Sequence, residues 1–359
     1  MADDDFGTKV GEFIRRTSGA LHVDVADLRR LTGGASRETW SLDATLHFPD
    51  RDDVQPLILQ RDVRGAPMGI SRALEFRLMA AAYEAGVPAP APMFLGDDSL
   101  GGAFFIVRRV DGETLPRRLL REDVYADARE KLPAQLGAAL AKIHAIDVGG
   151  HEFDALPAPP DGVSPAAFEV GRYGQIFRAI ALEPHPAFEL AFRWLAARVG
   201  AAEQRAGSRE QTSDSKQPTA SSKGQAARRM LVHGDYRMGN ILFGPEGLRL
   251  VLDWELAHIG DPMEDMAWMC VRSWRFGGEK PVGGIGEREE FFAAYEAAGG
   301  AKVDPERVRW WEVFGNLRWG IICLNQARTY IDGHSKSVEL ASIGRRTAET
   351  EWELLELVG

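Results

Sequence analysis

Apolar and polar positions change rhythm several times along the chain, and each change marks an element. After Gly33-Gly34, the residues Trp40, Leu42, Ala44, Leu46 and Phe48 alternate with other side chains, the period of a strand with one buried face. Before the glycines, "VADLRR" has a spacing compatible with a helix. "PLILQRD" (56–62) is a short apolar run and predicts a buried strand. "SRALEFRLMAAAYEAG" (71–86) predicts a helix, because apolar residues recur three and four apart, Ser71 can cap it and Gly86 can end it. "GVPAPAP" stops any helix, and "AFFIVRRVDGET" (103–114) predicts another strand running into a turn. The chain up to residue 115 thus reads as a small antiparallel sheet with one helix.

From residue 124 the rhythm turns helical. "ADAREKLPAQLGAALAKIHAID" has an apolar face, with Pro133 near its start, and "PAFELAFRWLAARV" (186–199) is a second amphipathic helix. Residues 200–229 carry almost no large apolar side chains, so burial there cannot offset the entropy of ordering. They read as a mobile insertion within one body. Two short strands follow, Ile241–Phe243 and Leu248–Leu252, with "GPEG" as the hairpin turn. Further helices are predicted over 287–299, from the start signal Asp304-Pro305 to Tyr330, and over 335–357.

Composition narrows the partners. The 359 residues are 45% hydrophobic and 27% charged, with a net charge of −10. Nucleic acid is disfavoured, since neutralising phosphates needs a basic excess. The acidic balance gives weak support to a cationic ligand. Cys270 and Cys323 lie in apolar segments without Cys-x-x-Cys spacing, and read as core thiols of a reducing cytoplasm. "MADDDFGTKV" lacks the apolar run of a signal peptide, and no stretch is apolar for the ~20 residues a membrane span needs. The expectation is a cytoplasmic protein without membrane contact. No oligomeric state is read from the sequence.

Candidate chemistry sits in "HGDYRMGN", His233 to Asn240. A connecting loop does not need Asp235 and Asn240 five positions apart with Arg237 between them. The predicted hairpin brings this loop, before its first strand, close to Asp253, just after its second. Two carboxylates and an amide at one hairpin end suit Mg²⁺, a hard cation that takes oxygen ligands. Asp-x-x-x-x-Asn is also the spacing of a kinase catalytic loop, in which the Asp accepts the substrate hydroxyl proton and the Asn holds metal. His233 reads as a structural residue bonding the loop backbone, and Asp265 as a helix cap or tie for the loop. Glu255 is either a water ligand of a second Mg²⁺ or a solvated carboxylate. Most tryptophans read as core.

The segments "LVHGDYRMGNILF", "VLDWELAHIGDPMEDMAW", "LTGGASRETW", "EFRLMAAAYEAGVPAPAP" and "FFIVRRVDGET" resemble the aminoglycoside phosphotransferase-like branch of the protein-kinase-like fold. The resemblance spans residues 31 to 268. It is greatest to the group found alone and fused to acyl-CoA dehydrogenase domains. It implies an α+β, bilobal fold: an N-lobe over 1–110 that binds nucleotide, with a small antiparallel sheet and one helix, and a mainly helical C-lobe over 111–359. The implied cofactors are ATP and Mg²⁺. Asp235 would be the catalytic base or the acid that orients the acceptor, with Arg237 near the transferred phosphate. Asn240 and Asp253 would be the Mg²⁺ ligands. Gly33, Gly34 and Ser36 would cover the ATP phosphates, and the backbone from Arg108 to Val110 would meet adenine. Glu75 would pair with a basic residue of the "LILQRD" strand. The usual basic position there reads Gln60. Arg61 is taken instead, through a one-residue shift, because adjacent strand side chains face opposite ways. The implied reaction is phosphate transfer to a small-molecule hydroxyl, with a hydroxyacyl compound or its CoA thioester as acceptor. An aminoglycoside or amino alcohol is the alternative acceptor. Gln60 raises a third reading, a nucleotide-binding scaffold without catalysis.

Overall fold

The computed structural model describes residues 2–31, 37–62, 69–208 and 230–359. Among them, β1 (His22–Leu31), β2 (Arg37–His47), β3 (Asp52–Asp62), β4 (Pro92–Leu95) and β5 (Phe104–Arg108) form an antiparallel sheet in the order β1-β2-β3-β5-β4. Alternation gives the sheet two apolar faces. Trp40, Leu42, Ala44 and Leu46 of β2 share one face with Leu57 and Leu59 of β3, and the helix α1 (Ala2–Ser18) covers it with Val10, Phe13 and Ile14. Ile58, Phe105 and Val107 point the other way, onto Leu74 and Leu78 of α2 (Arg72–Glu84). Ser71 caps α2 by accepting from Leu74 N–H at 3.3 Å, and Gly86 follows it at φ +71°.

Two sequence expectations change here. "VADLRR" lies in β1, because pairing with β2 and packing of Val25 and Leu28 towards α1 override its helical spacing. A bulge between Ala26 and Arg29 accounts for the off-period side chains. The second change is α1 itself, a helix whose acidic start hides its apolar stripe.

The larger part of the molecule is helical: α3 (Pro116–Arg121), α4 (Ala126–His144), α5 (Pro165–Ile180), α6 (Pro186–Ser208), α7 (Met263–Cys270), α8 (Arg288–Ala297), α9 (Pro305–Ile331), α10 (Val338–Gly344) and α11 (Thr347–Val358). Asp304 caps α9 by accepting from Glu306 N–H at 3.0 Å. Helix α6 continues through residues 200–208; the rest of the expected insertion lies outside the described residues. The hairpin forms as β7 (Ile241–Gly244) and β8 (Gly247–Val251), with Ile241 opposite Val251. Beside it, β6 (Met230–Val232) pairs with β9 (His258–Gly260). Cys270 and Cys323 are free and buried. Among the described residues, no helix is long and apolar enough to cross a membrane.

Candidate active site

The loop between β6 and β7 carries Asp235, Arg237 and Asn240, and the chain leaving β8 carries Asp253. Leu252 N–H donates to Asn240 O at 2.8 Å and holds the two ends together. Gly234 enters the loop at φ +78°, where a Cβ would collide with the Leu256 carbonyl, so the turn requires glycine. Asp265 of α7 accepts from the N–H groups of His233 at 2.7 Å and Gly234 at 2.9 Å, and meets His144 Nε2 at 3.1 Å. Burial alone would raise its carboxyl pKa; the His144 hydrogen bond and nearby positive charge outweigh it and hold the group low. From α9, Arg318 donates to Gly234 O at 2.9 Å and to Glu264 at 2.8 Å. His233 Nδ1 accepts from Asp235 N–H at 3.2 Å, and burial lowers its imidazole pKa. The loop backbone is thus clamped by two helices.

This clamp aims Asp235, and both its oxygens are engaged. Oδ1 accepts from Trp268 Nε1 at 2.8 Å and from Arg237 Nε at 2.9 Å, and Oδ2 accepts from Asn240 Nδ2 at 2.6 Å. Asn240 spends its N–H groups on Asp235, so its Oδ1 is available to a ligand. Asp253 takes a left-handed φ of +66°, uncommon for a non-glycine residue, and its side chain is 34% exposed. Its carboxylate and the Asn240 amide oxygen are the kind of donors a hard cation takes. Arg237 lies over the Trp274 ring at 4.7 Å. Sequence spacing anticipates Asp235, Arg237, Asn240 and Asp253 as neighbours; Trp268 it grouped with the core. The only sequence signal for Trp268 is its place one helical turn after Asp265.

The expected ion pair of Arg61 and Glu75 does not form. Arg61 shares a face with Leu57 and Leu59, and reaches Glu38, the Leu100 carbonyl and the Phe6 ring on the α1 side. Glu75, only 1% exposed, pairs instead with Arg72 at 2.6 Å and with Arg37 at 3.4 Å. Arg37 also reaches Asp253 at 3.1 Å and contacts Glu255. Glu255 therefore contacts Arg37 and is not freely solvated; burial, with Asp253 adding to it, raises its carboxyl pKa to about 8 against the pull of Arg37. Arg108 N–H donates to Ala91 O and Arg109 N–H to Pro56 O, each at 2.9 Å, and Val110 N–H has no backbone partner among the described residues. Gly33, Gly34 and Ser36 lie outside the described residues.

Residues flanking Trp274 also line a cavity of about 1450 Å³ that opens between α3, α9 and α11. Arg117, Arg118, Arg121, Arg272, Arg275 and Arg346 face it. Glu279, Glu349 and Glu353 line it as well; among the described residues Arg118, Arg272, Arg275 and Arg346 are paired with Glu113, Glu353, Glu312 and Glu349, whereas Arg117 and Arg121 have no acidic partner.

A small antiparallel sheet over a helical body, with two acids and an amide at a hairpin between them, is a kinase-like phosphotransferase architecture. The model of the phosphotransferase enzyme family matches residues 27–311, and the chain belongs to that family. Acyl-CoA dehydrogenase family member 10 of Mus musculus is 28% identical over 266 residues, covering 72% of this chain and 22% of its own length. Acyl-CoA dehydrogenase family member 11 of Rattus norvegicus is 26% identical over 259 residues, with 70% and 29% covered. The chain therefore spans under a third of the length of these relatives. In structure it is similar to a putative aminoglycoside phosphotransferase from Ralstonia eutropha JMP134, with TM-score 0.71, 20% identity, and 98% and 97% of the two chains covered. Aminoglycoside phosphotransferase APH(4)-Ia, in a complex with AMP-PNP and hygromycin B, gives TM-score 0.57 at 16% identity, with 98% of each chain covered. These likenesses show the fold.

Proposed function

We propose that the protein is a small-molecule kinase that moves the γ-phosphate of ATP, with Mg²⁺, to a hydroxyl of a hydroxyacyl-CoA thioester. The observation that carries this reading is Asp235, held at both oxygens by Trp268, Arg237 and Asn240, at the hairpin end that also bears Asp253. Mg·ATP would supply the phosphoryl group and neutralise part of its charge. Asn240 and Asp253 fit its metal: Mg²⁺ binds through one or two protein oxygens plus phosphates and water, so a cluster of three acids is not needed. Asp235 would take up or orient the acceptor hydroxyl proton, and Arg237 beside it would face the phosphate in transit. The Arg108 carbonyl and Val110 N–H would meet adenine, and Gly33, Gly34 and Ser36 would lie over the phosphates. Holding these groups in line supplies most of the rate, since the protein has little covalent chemistry to do.

The arginine-lined cavity supports an acceptor that carries phosphates. Ser273 and Arg275, on either side of Trp274, line it, and the guanidinium groups of Arg117 and Arg121 on its wall suit the phosphates of CoA. The names of the curated relatives, acyl-CoA dehydrogenase family members, point the same way.

The test is a mass-spectrometric screen with Mg·ATP against hydroxyacyl-CoA thioesters, the free hydroxy acids and aminoglycosides. A one-phosphate gain on the thioesters, lost in Asp235→Asn, is expected. Gain on the aminoglycosides alone would overturn the acceptor. No product, with no ATP binding by calorimetry, would overturn the kinase reading.

A further inference from the structure

We infer that Arg37 of β2 is the side chain that meets the nucleotide phosphates from the sheet, in place of the β3 cation a kinase normally supplies. The inference rests on the proposed use of ATP. In kinases that cation is a β3 lysine paired with a glutamate of the first helix, and the pair positions the α- and β-phosphates.

Here α2 presents its glutamate, Glu75, but β3 offers no cation towards it. Gln60 is uncharged. Arg61 points to the α1 face and is bound to Glu38 and the Leu100 carbonyl. Arg72 is near Glu75, yet it is locked: its side chain is 2% exposed, its Nε donates to Asp62 at 2.6 Å and its Nη1 to Glu75 at 2.6 Å. Arg237 is on the loop before β7, outside this sheet, and is bound to Asp235. Among the described residues, that leaves Arg37.

Register explains how a β2 residue reaches this place. Arg37 stands opposite Asp62, and Thr39 opposite Gln60. Trp40 and Leu42 face α1, so the odd-numbered positions of β2 face α2 and the hairpin. One guanidinium there bridges Glu75 of α2 with Asp253 and Glu255 of the hairpin exit. No other described basic side chain touches both the α2 glutamate and the acid after β8. Arg37 also begins β2 immediately after the glycine segment. A guanidinium has more than one N–H edge, so it can keep Glu75 with one edge and bind phosphate oxygens with another.

The experiment is isothermal titration of the full chain, in Mg²⁺, with ATP, ADP and adenosine, on the wild type, Arg37→Met, Arg37→Lys and the double variant Arg37→Gln/Gln60→Lys. Arg37→Met should lose roughly ten- to a hundredfold in affinity for ATP and ADP, the scale of a charge-assisted hydrogen bond, while adenosine binding holds. Arg37→Lys should recover part of the loss. The double variant, with its cation moved to β3, should regain a preference for ATP over adenosine. An unchanged ATP-to-adenosine ratio in Arg37→Met overturns the inference and leaves the kinase reading standing. Should Arg37→Met fail to fold, Arg37→Lys decides: an ATP-to-adenosine preference below that of the wild type supports the inference, and a preference equal to that of the wild type overturns it. A wild type that binds no nucleotide overturns both.

Discussion

The indole of Trp268 donates to the Asp235 carboxylate, Nε1 to Oδ1, at 2.8 Å. The same ring lies 4.7 Å from the Arg318 guanidinium, which in turn holds the Gly234 carbonyl. Trp268→Phe keeps the ring and removes the donor. Turnover should fall by roughly tenfold, the worth of one hydrogen bond to a charged group, with ATP affinity unchanged. Steady-state kinetics with separate ATP titration would check this; unaltered kcat would show that Arg237 and Asn240 suffice to aim the carboxylate.

Asp265 is fully buried and accepts two backbone N–H groups of the His233–Asn240 loop. Asp265→Ala leaves these donors and His144 without their acceptor. A loss of about 3–5 kcal/mol is expected, as for breaking a buried charged pair, with a smaller loss for Asp265→Asn. Urea unfolding followed by tryptophan fluorescence would measure both. A cost for the alanine variant no larger than that of an average surface change would mean that the loop is held elsewhere.

His258 presents Nδ1 to Leu256 O at 2.9 Å and Nε2 to Glu264 at 3.1 Å, so two acceptors face two ring nitrogens. Burial opposes charge on the ring, but Glu264 outweighs it and raises the pKa to about 9. The folded chain then keeps a proton that the unfolded chain releases near the ordinary imidazole value. This contribution to stability is complete below pH ~6.5 and is lost as pH rises through ~9. The melting temperature should fall across that window, and His258→Gln should flatten the fall. Equal slopes in the two proteins would show that His258 is neutral in the fold.

Arg61 braces β3 against Glu38, the Leu100 carbonyl and Phe6. Arg61→Ala should lower the melting temperature by a few degrees, roughly 1 kcal/mol, while the dissociation constant for ATP stays within about twofold. A marked rise in that constant would return Arg61 to the nucleotide side.

Several features were legible because their causes are local. Trp40, Leu42, Ala44 and Leu46 are buried on one face since a strand alternates whatever surrounds it. Asp304-Pro305 starts α9 because a cap and a fixed φ act within one turn. The hairpin from Ile241 to Val251 brings Asn240 and Leu252 together, and with them the flanking Asp235 and Asp253. Turn chemistry and two apolar runs are enough for that. The residue spacing of the His233–Asn240 loop, and the membership in a phosphotransferase family that it foreshadowed, belong to the same local information.

Tertiary structure decided the rest. Alternation says that Gln60 and Arg61 face opposite ways, but not which of them faces α1; the burial of Leu57 and Leu59 beneath α1 settles it. The partner of Glu75 could not be read from neighbouring residues, because Arg37, Glu75, Asp253 and Glu255 come from β2, α2 and the hairpin exit. The same holds for Trp268 at Asp235 and for the six arginines of the cavity. Sequence by itself determined strands β2 and β3, helices α2 and α9, the β7–β8 hairpin and the loop that can carry phosphoryl chemistry, since those follow from contacts a few residues apart. Which charges meet across the cleft depends on how distant elements pack, and packing acts over the whole chain at once.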